Sequence, residues 1–213
     1  MRKPTAVLLV GAAVAVLIIT ISGGTAMAAG KFKTVTRNFS NLHLVTINDS
    51  TEPPTESSPY PSTIKVRGLD RGHIKDVNLR LFGYSHDYPD DVDVLLVSPG
   101  GKKAKVMSDV GGGFSANGVN VLLDDSSVNP LPDEGALFSG TYFPTNYVNF
   151  TGGTDSLDPF PSPAPAPGSS PFLSNFDGTN PNGTWKLFVV DDDQSSSGSL
   201  GGWSLTIKAK VRR

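Results

Sequence analysis

The chain contains no cysteine and, beyond its N-terminal segment, no stretch that repeats apolar residues at the 3, 4 and 7 spacing of a helix. For an exported protein the first absence excludes a disulfide framework, a thiolate zinc site and a cysteine nucleophile. Stability then has to come from burial, and a domain of about 150 to 185 residues buries roughly 70% of its unfolded surface without staples. Histidine is scarce as well: His43, His73 and His86 are the only imidazole bases. A serine nucleophile needs such a base, because a hydroxyl attacks poorly alone. Ser85-His86-Asp87 has the three residue types, but sequence neighbours point apart on a strand or turn. Gly113-Phe114-Ser115-Ala116-Asn117 fails the G-x-S-x-G elbow at its last position. No H-E-x-x-H zinc motif and no Walker loop occurs. The sequence therefore assigns no catalytic and no cofactor-binding residue, and leans away from an enzyme.

A strongly basic surface is also missing. Formal net charge is −2 over the 213 residues. The first segment differs from the rest: Arg2 and Lys3 precede an apolar run, Ala6 to Ile21, interrupted only by Gly11 and Thr20. Ser22, Gly23 and Gly24 follow, then Ala26-Met27-Ala28, an A-x-A cleavage site. This is the layout of a secretory signal peptide at 1–28, with a short leader at 29–36. The run falls short of the roughly 20 residues that span a bilayer comfortably; the alternative is an uncleaved anchor, the one way this chain meets a membrane. Cleavage after Ala28 leaves 185 residues (213 − 28) with charge 16 − 20 = −4, mildly acidic and unsuited to nucleic acid. The expected location is extracellular.

The mature chain reads as short alternating runs punctuated by Gly, Pro, Asn and Asp, the pattern of an all-β protein. Leu42 to Ile47 is one such run. Between Ile74 and Phe82, Val77, Leu79 and Leu81 share a face opposite Asp76, Asn78 and Arg80, as in a half-buried antiparallel strand. Val92 to Val97 is more continuously apolar and predicts a central strand. Lys103 to Met107, Val119 to Leu123, Trp185 to Val190 and Trp203 to Val211 predict further strands, with Thr141 to Phe143 at an edge. Eight or so strands without helical partners predict a β-sandwich or jelly roll. Trp185 and Trp203 are core anchors on this reading, with a sugar-stacking surface as the alternative. Asp158 to Pro171 carries six prolines, which cannot donate to a ladder. It is either an extended surface loop or a disordered insertion.

Several segments in order resemble the P domain (P/Homo B domain) of subtilisin-like proprotein convertases. They are Tyr60 to Leu69, Ile74 to Val77, Ser85 to Pro99, Met107 to Gly112, Leu123 to Asp125, Asn182 to Leu187, Val190 to Asp192 and Gly198 to Leu205. The resemblance places a domain over 37–210 and implies a jelly-roll (galactose-binding-like) β-sandwich. It further implies an accessory, stabilising module associated with subtilisin-like serine endopeptidases and proteolysis. The subtilisin-like nucleophile context, Gly-Thr-Ser-Met-Ala, is absent from the chain. Expected partners are such a protease or a cell-surface ligand. The alternative is a calcium-dependent carbohydrate- or cell-envelope-binding jelly roll, which Tyr84, Tyr88, Tyr142 and Tyr147 exposed on one rim would favour.

Aspartates cluster at predicted strand ends: Asp87, Asp90, Asp91 and Asp93; Asp124 and Asp125; Asp191, Asp192 and Asp193. Calcium takes six to eight oxygens from loop carboxylates and carbonyls. If the strands that begin near Asp93 and end at Asp191 are neighbours, a structural Ca2+ using some of Asp91, Asp93, Asp191 and Asp192 is expected. The competing explanation is that aspartates cap turns. Sequons occur at Asn38, Asn48, Asn149 and Asn182, the last in an Asn-Gly turn.

Overall fold

The computed structural model describes residues 31–49, 54–147, 159–168 and 170–212. The signal segment and Asn149 lie outside them, as does part of the Pro-rich stretch. Among the described residues there is no α-helix, and no helix long and apolar enough to cross a membrane. Two mixed sheets stack face to face, consistent with a β-sandwich.

The first sheet is built around the long strand β5 (His73–His86). On one side lie β13 (Gly202–Arg212) and then β1 (Phe32–Asn41), and β8 (Ala116–Leu123) with β9 (Gly140–Tyr142) lies on the other. β12 (Gly198–Leu200) joins the far end of β5 to β2 (Val45–Ile47). The second sheet centres on β6 (Val92–Val97) and β11 (Gly183–Asp191), antiparallel neighbours. β7 (Lys103–Ser108) pairs with β6 and carries β10 (Thr145–Asn146) on its other edge, while β3 (Thr55–Glu56) and β4 (Ser62–Val66) both pair with β11.

Alternation decides which side chains meet between the sheets. Val77, Leu79 and Leu81 of β5 and Leu205, Ile207 and Ala209 of β13 share one core cluster with Val92, Val94 and Leu96 of β6 and Trp185, Leu187 and Val189 of β11. Both tryptophans are fully buried, as expected of core anchors. Each finds a partner for its indole N–H: Trp185 Nε1 donates to the Pro181 carbonyl at 2.9 Å, and Trp203 Nε1 to Ser62 Oγ at 2.9 Å. Burying an indole without such a partner would cost about 1–3 kcal/mol.

The second sheet is buried on its outer face too. Leu95, Val97, Phe188 and Val190 form a separate cluster with Phe160, against which Tyr60 and Ala164 pack. This double burial explains why Val92–Val97 and Trp185–Val190 read as continuous rather than alternating apolar runs. The cover is the Pro-rich segment: Tyr60 Oη donates to the Pro161 carbonyl at 3.0 Å, and Lys103 Nζ donates to the Ala166 carbonyl. Where it is described, that segment lies on the sheet rather than away from it.

Two boundaries differ from the sequence reading. β1 begins at Phe32 and pairs with β13 from Phe32↔Arg212 to Asn41↔Trp203, so a domain start at residue 37 falls inside a strand. The run from Leu42 to Ile47 is a strand only from Val45; Leu42 and Leu44 are exposed, and Gly202 approaches the backbone of Leu42 too closely for any Cβ.

Candidate functional site

The antiparallel pairing of β6 with β11 sets Asp191 opposite Val92 and Val190 opposite Asp93. The two strand ends that carry the predicted aspartates are therefore neighbours. Register then separates the carboxylates. Val92 and Val189 face the sandwich core, so Asp191 points inward; Val190 faces the outer cluster, so Asp93 points outward. The Asp192 N–H extends the ladder by donating to the Asp91 carbonyl at 2.9 Å. Asp91 closes a 3-10 turn, Pro89–Asp91, that leads into β6. Of the four aspartates among which a Ca2+ site was expected, Asp91 and Asp191 come together, Asp192 sits beside them on the backbone, and Asp93 lies on the other face. Among the described residues no three His, Asp or Glu side chains gather in a way that would hold a metal ion.

His86, at the end of β5, crosses from the opposite sheet to meet Asp191. Its Nε2 lies 3.0 Å from Asp191 Oδ2, both side chains wholly buried. Nδ1 donates to the Tyr88 carbonyl at 2.8 Å. The second carboxylate oxygen, Oδ1, accepts the Asp193 N–H at 3.3 Å. The contact between His86 and Asp191 has the form of a base with its orienting acid, yet both ring nitrogens are engaged. Ser85 turns to the other face of β5, where its Oγ accepts the Gly118 N–H at 2.8 Å. Ser85, His86 and Asp87 are not assembled into a triad. Sequence reasoning named His86 as a possible base and missed its pairing with Asp191, which lies 105 positions away.

Above this pair opens a shallow cleft of about 410 Å³, lined by Tyr88, Asp90, Asp91, Asp193, Gln194 and Ser195. Its wall depends on glycine. Gly111 has φ +91° and its Cβ would lie 2.9 Å from Pro89, while a Cβ on Gly113 would lie 2.9 Å from the Tyr88 ring. The Gly111–Gly113 loop thereby lets the Pro89 turn and Tyr88 settle against it.

The electrostatics follow from crowded carboxylates with little water. Burial first, then Asp191 and Asp193, push the Asp91 carboxyl up to about 7, against the lowering pull of His86. Burial, then Glu134 and Asp133, raises Asp90. The Tyr84 phenol, 1% exposed, is held well above its ordinary value by burial and then by Asp191, Asp91 and Asp93. Its hydroxyl has no hydrogen-bond partner among the described residues.

Elsewhere the aspartates cap turns. Asp125 accepts the N–H groups of Leu173 and Ser174 at 2.9 and 2.8 Å, at the start of a 3-10 turn. Asp124 accepts from Ser126 and from Asn78. Asn182 holds Leu69 by two bonds, Leu69 N–H to Oδ1 at 3.0 Å and Nδ2 to the Leu69 carbonyl at 2.7 Å, so its amide is committed structurally. The four tyrosines do not form an exposed rim. Tyr84 is buried, Tyr142 and Tyr147 are half-buried with their hydroxyls on backbone carbonyls, and Tyr88 alone is exposed.

Among known families, the model of the proprotein convertase P-domain matches residues 168–207, which carry β11, β12 and most of β13. No curated protein matches the chain.

Proposed function

We propose that this chain, whose strands β11 to β13 match the proprotein convertase P-domain, is an exported, non-catalytic accessory module of a subtilisin-like serine endopeptidase. The family match over residues 168–207 carries the reading. It is supported by position: β4, β5 and β6, which hold the P-domain-like segments within Tyr60–Pro99, are hydrogen-bonded neighbours of the matched strands. A jelly-roll, galactose-binding-like arrangement of the two sheets belongs to the same reading, as does removal of residues 1–28 on export. A module of this kind acts by contact. Docked on a folded protease and not on the unfolded one, it stabilises that protease by mass action. The test is the half-life at elevated temperature of a subtilisin-like protease from the producing organism, with and without the purified chain. A longer half-life supports the proposal, and no change at saturating chain counts against it.

Calcium enters this proposal as a counter-ion of the cleft, drawn by Asp91 with Asp191 and Asp192 beside it. The support is the crowding that holds Asp91 near 7, which a divalent cation would relieve. Calorimetric melting in calcium and in chelator reads it out: a higher transition in calcium at neutral pH is expected, and coincident transitions dismiss the ion.

A further inference from the structure

Both sheets end on one flank of the sandwich. Among the described residues β1 pairs with β13 alone and β4 with β11 alone. The two edges lie side by side: Asn41 Nδ2 donates to Ser62 Oγ at 3.2 Å and to the Thr63 carbonyl at 3.0 Å. Along the ten residues of β1, the N–H and C=O groups of alternate residues therefore point away from β13. This flank is cationic. Lys33 and Arg37 of β1 are exposed, as are Lys65 and Arg67 at the end of β4. No Asp or Glu occurs in residues 29–48, 57–69 or 194–213. Among the described residues none of the four cations has a carboxylate within ion-pair reach. Arg37 instead donates to the Thr36 carbonyl at 3.2 Å, and Lys65 Nζ to Thr184 Oγ1 at 3.5 Å. The acids of adjoining elements are Asp70, past the end of β4, and Asp76, opposite Lys208 on the other face of the first sheet.

Register fixes which face of β1 carries the charge. Lys33, Val35, Arg37 and Phe39 stand opposite Val211, Ala209, Ile207 and Leu205, all core residues, so the four share the core-side face. Val35 and Phe39 pack against the core, and the two cations that alternate with them stay exposed at its rim. This alternation decides what can pair with the edge. A second copy of β1, antiparallel and centred on Val35, sets Lys33 against Arg37, and directly opposed like charges destabilise a ladder. A strand with acids four residues apart and a β-branched residue midway sets carboxylates against both cations and an apolar side chain against Val35.

We propose that the outer edge of β1 is a docking site for an extended acidic segment of a partner protein. The segment adds to the sheet as a further strand, with two carboxylates four residues apart against Lys33 and Arg37. Main-chain bonds hold it and its alternating side chains select it. Lys65 and Arg67 add to the field that draws an anionic segment in. The inference rests on the reading of the chain as a module that works by contact, and supplies the chemistry of what it contacts.

The test uses the processed chain and the fluorescein-labelled peptide Thr-Glu-Thr-Val-Thr-Glu-Thr, followed by anisotropy. Saturable binding is expected at low salt, weakening about tenfold as screening rises to physiological ionic strength. Lys33→Gln with Arg37→Gln weakens it about tenfold, while Asp87→Asn, in the turn after β5, leaves it unchanged. A rearranged peptide with adjacent glutamates, Thr-Glu-Glu-Thr-Val-Thr-Thr, binds about tenfold more weakly. Methylation of the peptide nitrogens reads the main chain. Of two peptides methylated at alternate residues, one on each set, one loses binding and the other keeps it, because a single set of N–H groups faces β1. Equal behaviour of the two methylated peptides, equal binding by the rearranged peptide or by the Lys33/Arg37 variant, or none by the wild type at low salt, overturns the proposal. So does inorganic tetraphosphate binding as tightly as the peptide, or sedimentation showing a dimer that excludes the peptide. Failure here leaves the protease half-life measurement standing, and a null half-life does not affect peptide binding, so the two failures are distinguishable.

Discussion

Replacing Asp91 by asparagine should stabilise the protein at alkaline pH and leave it unchanged in acid. In the folded chain the Asp91 carboxyl is pushed from its ordinary 3.8 up to about 7, chiefly by burial and by Asp191. The fold therefore binds this proton more tightly than the unfolded chain does. Below about pH 4 the group is neutral in both states and costs nothing. As pH rises through 7 the folded state must accommodate a charge that the unfolded chain carries freely, and stability falls. Each pKa unit is worth about 1.4 kcal/mol, an upper bound of about 4 kcal/mol above pH 7. Solvent in the adjoining cleft screens part of this and leaves about 2 kcal/mol. Asparagine keeps the shape and removes the charge. At about 2–4 °C per kcal/mol for a domain of this size, the variant should melt roughly 4–8 °C higher at pH 8. Calorimetry in chelator at pH 8 and pH 4 measures both ends, and the difference should vanish at pH 4. A variant no more stable than wild type at pH 8, or equally stabilised at pH 4, refutes the electrostatic reasoning.

Other substitutions probe other parts of the fold. His86→Ala leaves Asp191 buried between the sheets without its partner, and should cost about 3–5 kcal/mol by denaturant melting. Gly198→Ala should destabilise by about 1–3 kcal/mol or more, since its Cβ would collide with the His86 ring and the Ser85 carbonyl oxygen. Phe160→Ala should cost about 3 kcal/mol and speed proteolysis within the Pro-rich segment, because Phe160 anchors that segment to Leu95 and Phe188.

The strands were legible where burial is one-sided or where both faces are apolar. Val77, Leu79 and Leu81 alternate because only one face of β5 meets the core, and Val92–Val97 runs apolar because Phe160 and its neighbours cover the second face. β1 was not legible: its Lys33, Thr36 and Arg37 are exposed, and pairing with β13, not burial, defines it. The acidic end was legible as a set of strand-end aspartates, and the adjacency of their strands followed from pairing. Which carboxylates share a face was not, because it depends on the register of β6 against β11, and a shift of one residue would exchange Asp93 for Asp191. The bond from His86 to Asp191 spans two sheets, and no local pattern announces it. The Pro-rich stretch hid its role as a cover because proline signals only what a segment cannot do.

The claim that this sandwich serves a protease by contact and holds no reaction centre itself is tested most directly on one gel. The processed chain, immobilised, is exposed to culture supernatant of its producer, washed, eluted and treated with a fluorescent fluorophosphonate that labels active serine hydrolases. The account predicts one labelled, co-eluting subtilisin-like protease and an unlabelled bait. A labelled bait, or an eluate without any labelled partner, contradicts it.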